Sequence, residues 1–169
     1  MSDSAWDQLD LGARRATPVL VTLLTVLVGR LPLYIPHADA IMPWLTLIAV
    51  FYWAAHQPGL LPMLAVFALG VVHDILVGST VGVGTLVLML VHGLVSAQRR
   101  FFVSRSFFVV WIVFACVAAL AVSLHWALTM AATGAALAPE PALFRLLTTV
   151  AFYPLMSLVL VPIHRASVR

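Results

Sequence analysis

The chain has 169 residues, of which 63% are hydrophobic and 9% charged, with a mean hydropathy of +1.11. A soluble domain is usually about 25% charged, so composition alone points to an integral membrane protein. All nine basic residues are arginine and sit in loops or at segment ends. No solvated basic face is left for nucleic acid.

Spanning helices need ~20 mainly apolar residues, and six segments qualify as candidates. The expected spans are 16–34, 41–56, 60–77, 81–97, 107–131 and 143–163. Pro18 suits the first turn of the first segment, and Pro32 and Pro36 end it. Pro43 opens the second, with Trp44, Tyr52 and Trp53 as interface markers, and Gln57-Pro58-Gly59 closes it. Pro154 falls inside the sixth segment and predicts a kink. Arg14, Arg15, Arg99, Arg100, Arg105, Arg165 and Arg169 all fall on one side of a six-span topology. The positive-inside rule makes that side the cytoplasm and places both termini there. No cleavage pattern follows the first segment, which is therefore expected to stay as an uncleaved anchor. The expectation is one all-α transmembrane domain over 1–169, a compact bundle of six helices.

Residues 70–84, GVVHDILVGSTVGVG, stand out. Asp74 is the one acid inside a long apolar run, with Gly70 and Gly78 at helical spacing around it. Small residues four apart mark helix contact faces in lipid. Ala115, Ala119, Ser123, Ala127 and Ala131 form a longer stripe of that kind, and Thr22, Thr25 and Gly29 a weaker one. Either strong face could pack inside the bundle or meet a partner.

Threading the charges through the topology puts Arg30, His73, Asp74, His125 and Arg145 near the outer boundary. A charge at mid-bilayer costs at least ~2.5–3.5 kcal/mol, so Asp74 is expected to pair with Arg30 or Arg145. A site for a solute or ion is the other reading of that layer. His92 lies deeper and is expected to make a helix-to-helix hydrogen bond. The histidines lack the i, i+4 spacing of a zinc site, and Cys116 is alone, so no metal or cofactor is expected. No Walker loop, nucleophile elbow or His-Glu-x-x-His is present. Ser123 or Ser157 could be set beside a histidine on paper, but six histidines make that easy. No enzyme is expected.

The stretch VFYWAAHQP at 50–58, GVVHDILVGS at 70–79 and Val81-Gly82-Val83 resembles the MreD family of the bacterial rod-shape system. The family pattern is a Tyr-Trp before a short Pro turn, then a Gly-Leu-x-x-Asp-Leu-x-x-Gly-like run, then a small-residue turn. Arg99-Arg100 also fits, and Val71 departs from the usual Leu. The motif match covers about residues 50–100, and the ends agree in hydropathy. The resemblance implies a scaffold that binds MreC and belongs with the RodA glycosyltransferase and a penicillin-binding transpeptidase, MreB filaments being reached indirectly. It also implies a fold similar to the S component of energy-coupling-factor transporters. The alternative function is therefore a solute-binding transporter subunit, although Val19–Gly29 lacks the Ala-x-x-x-Ala stripe common on the first helix of S components.

Overall fold

The computed structural model describes residues 18–29, 42–102 and 105–168, and among them every regular element is a helix. In chain order these are α1 (Pro18–Val28), α2 (Leu45–His56), α3 (Met63–Val77), α4 (Val83–Ala97), α5 (Arg99–Phe102), α6 (Phe107–Thr133) and α7 (Glu140–Val168). Arg30, the stretch 37–39, Arg14, Arg15 and Arg169 lie outside the described residues.

Each of the six expected spans overlaps one of these helices, the last two helices running past their expected bounds, but among the described residues only two pass the length test for crossing a membrane. They are Phe107–Thr133 and Glu140–Leu160. The other apolar helices are 10–17 residues long. Their ends explain the shortfall. Pro62 precedes α3, and Gly78 closes it in the left-handed region at φ 64°. Gly82, at φ 101°, then opens α4. A 15-residue helix such as α3 is only ~22 Å long, against a hydrocarbon core of ~30 Å.

The core is built around α2, in which every residue from Thr46 to Ala55 is buried. A helix apolar all round belongs at a centre, and α2 packs against α4, α5 and α7. Its Phe51 ring lies 5.0 Å from Phe114 of α6 and 5.9 Å from Tyr153 of α7, edge to face. Phe114 stacks on Tyr153 at 4.3 Å. Aromatic pairs of this kind add ~0.5–1.5 kcal/mol each beyond the area they bury.

The periphery is apolar as well. Leu64 is 78% exposed and Leu158 72%. Water would penalise so many bare side chains, whereas a lipid solvent would not. Two apolar helices of spanning length and this greasy exterior agree with a membrane protein.

Helix α7 runs through Pro154 without ending. Proline has no N–H, so the carbonyl four residues back loses its helical donor. That carbonyl belongs to Val150, and the Trp111 indole Nε1 of α6 donates to it at 3.0 Å. The proline defect is thus met by the neighbouring helix.

Candidate functional site

Helices α3 and α4 form a hairpin closed by Asp74. The Asp74 side chain is fully buried. Its Oδ2 accepts from the Gly82 amide at 2.9 Å, the Thr85 amide at 3.0 Å and the Thr85 hydroxyl at 3.0 Å. The Ser79 hydroxyl makes a longer contact with Oδ1 at 3.5 Å. Gly82 is the N-cap of α4 and supplies no side-chain cap of its own. The first amides of a helix have no internal partner, and a carboxylate beside them also meets the positive end of the helix dipole. Asp74 therefore caps the next helix from the previous one.

The glycines follow from that joint. A Cβ on Gly84 would run into the Asp74 carboxylate. A Cβ on Gly70 would stand 2.7 Å from the Thr85 Cα, closer than real contacts allow. Gly78 has open space around it. Its glycine requirement comes from the left-handed turn, in which the Gly78 and Ser79 amides bond back to Ile75 and Asp74 carbonyls.

At the same end of the bundle stands Trp44, 1% exposed at the N-cap of α2. His73 stacks on its ring at 5.9 Å, His125 meets it edge-on at 5.1 Å, and the Arg145 guanidinium lies over it at 4.5 Å. A cation over an indole face gains about 0.5–2 kcal/mol. His73 Nδ1 also lies 3.0 Å from the Thr46 hydroxyl. The Trp44 amide donates to Thr149 Oγ1 at 2.9 Å, which ties α2 to α7. A cavity of about 240 Å³ opens beside Trp44, His125, Thr129 and Arg145. A second, of about 140 Å³, lies beside Thr25, Thr46, His73 and Arg145.

The structure thus gathers His73, His125 and Arg145 around an indole that sequence reading took for an interface marker. Asp74 takes its hydrogen bonds from backbone amides and hydroxyls. Of its two expected arginine partners, Arg30 lies outside the described residues, and Arg145 sits on Trp44. The buried face of α6 carries Val110, Phe114, Val117, Ala118, Ala121 and Val122. The small-residue stripe lies beside that face: Ala115 and Ala119 are half-buried, while Ser123, Ala127 and Ala131 are exposed. His92 is buried, and neither ring nitrogen meets a hydrogen-bond partner among the described residues. The helix-to-helix bond expected there is absent among the described residues. No group of three or more potential metal ligands occurs among the described residues.

The family model for the rod shape-determining protein MreD matches residues 14–162. The chain belongs to the MreD family. A role in rod shape determination follows, and MreD is a family of shape-determining components rather than of enzymes. No curated protein and no solved structure matches the chain. The Asp74 hairpin lies inside the span matched to MreD, and it gives the glycines and the acid of that stretch a shared structural reason.

Proposed function

We propose that the chain is a non-enzymatic scaffold of the rod elongation complex, a six-span inner-membrane protein with both termini in the cytoplasm. In this reading it binds MreC and supports lateral peptidoglycan synthesis by RodA and its penicillin-binding transpeptidase. The observation that carries the reading is the Asp74 joint. Its buried acid is engaged by the protein's own amides and hydroxyls, which suits a rigid hairpin. The exposed Ser123, Ala127 and Ala131 edge of α6 offers a surface that another helix could approach closely. Depleting the protein from rod-shaped cells is expected to give round cells, and MreC is expected to copurify. Crosslinkers placed at Ala119, Ser123 and Ala127 should capture MreC. Normal rods in the absence of the protein sink the reading.

A second reading is supported by the 240 Å³ cavity at Arg145. The Trp44 indole nitrogen, on a residue that lines this cavity, is buried without an acceptor among the described residues. A solute-binding subunit would use the guanidinium for an anionic solute. It predicts a small molecule retained through purification and lost in Arg145→Gln. A ligand-free protein with normal function removes this reading.

A further inference from the structure

The opposite end of the bundle holds a different cleft, of about 440 Å³. The close of α2, the α5 elbow, the start of α6 and the Pro154 region of α7 form it. Tyr52, Phe102, Phe107 and Tyr153 make an aromatic wall. His56 and Arg105 stand exposed at its rim, and Arg99 and Arg100 are exposed on the adjoining α5. The acids among the described residues, Asp74 and Glu140, sit at the far ends of their helices, so the described part of this end is basic. Beyond the wall the lip is apolar: Phe107 is 52% exposed and Leu158 72%. A basic rim, an aromatic wall and an apolar lip follow one another in the order of an amphiphile's own parts.

We propose that this cleft holds one anionic phospholipid of the cytoplasmic leaflet. The phosphate meets Arg105 and His56, and an acyl chain lies along Phe107 and Leu158. A guanidinium makes strong, charge-assisted hydrogen bonds to phosphate, and basic pockets between helices select acidic headgroups. A soluble anion would leave the apolar lip without a partner. The inference uses the membrane placement proposed above and nothing about MreC.

The full chain, purified in nonionic detergent, is titrated with phosphatidylglycerol or phosphatidylcholine. Retained lipid is counted by native mass spectrometry, and the thermal unfolding midpoint is followed. One phosphatidylglycerol should be retained, with an apparent affinity at least about tenfold above that for phosphatidylcholine. Arg105→Gln should weaken it about tenfold, and Arg105→Lys should keep most of it. Arg105 is exposed, so both variants should unfold like wild type without lipid. The Arg99→Gln/Arg100→Gln double variant should change the affinity less than twofold. Equal binding of the two lipids, or an unaltered Arg105→Gln, overturns the proposal. So does a double variant as damaging as Arg105→Gln, or saturation by soluble glycerol phosphate at the same concentrations. Because the readout needs only purified protein, its failure leaves the scaffold reading standing. A protein that needs no detergent to leave the membrane fraction overturns both.

Discussion

Removing the Asp74 side chain strands three donors at once: the Gly82 amide, the Thr85 amide and the Thr85 hydroxyl. A buried group left without its partner costs ~1–3 kcal/mol. Asp74→Ala is therefore expected to lose at least about 3 kcal/mol of stability in detergent unfolding, and Asp74→Asn less, because its amide oxygen still accepts. Two ideas about this acid diverge under a charge swap. If Asp74 depends on Arg145, then Asp74→Arg with Arg145→Asp should recover stability and rod shape. If it depends on the α4 amides, the swap should fail, since arginine cannot accept a hydrogen bond. Gly84→Ala should approach the cost of Asp74→Ala, because the new methyl and the carboxylate claim the same space. The double variant should cost clearly less than the two single losses added together. The acid and its glycines could be picked out of the sequence, but the donors could not. Backbone amides have no letter of their own, so charge and depth pointed to arginines.

Trp111 and Pro154 test the helix-to-helix repair in α7. Trp111→Phe removes the donor to the Val150 carbonyl and should cost ~1 kcal/mol. In a Pro154→Ala background the helix supplies its own amide to that carbonyl, so the same change should cost markedly less. Unfolding of the four proteins gives the coupling directly. Proline at 154 was legible in the sequence as a local defect, but Trp111 as its remedy was not, because the indole lies 39 residues from the Val150 carbonyl it meets. Helix faces were hardest to read. Alpha6 is apolar on every side, so periodicity cannot say which side is buried. Small residues permit close approach without requiring a neighbour, and the buried face centres on Phe114, Ala118 and Ala121, beside the Ala-Ser stripe. Helix positions were legible because proline and glycine punctuate them. Their lengths were not: turns shortened the first four spans, while the last two helices run past theirs.

The bundle as a whole has two chemically different ends. The Trp44–Arg145 cluster and the Asp74 turn share one, while Arg99, Arg100 and Arg105 mark the other. The proposed orientation predicts opposite accessibilities. In a Cys116→Ala background, Thr80→Cys and Ala136→Cys should react with an impermeant maleimide in spheroplasts. Gln98→Cys and Ser106→Cys should react only after the membrane is opened. The reverse pattern inverts the topology. The class of molecule and the family motif were legible from composition and from residues 50–100. The Trp44 cluster was not, since its ring contacts and hydrogen bonds join residues from four helices far apart in the chain.

The contacts of Asp74 with Gly82 and Thr85 span only 8 and 11 residues. Hairpins closed over so short a distance form fast, because little chain entropy is lost in closing them. During synthesis the α3–α4 pair can therefore finish itself before α6 and α7 exist. The acid then has its hydrogen bonds made early, as part of a pre-closed unit. On this view the glycines around Asp74 govern the order of insertion as much as the finished shape. A stalled-chain experiment ending after α5 should already find the hairpin folded.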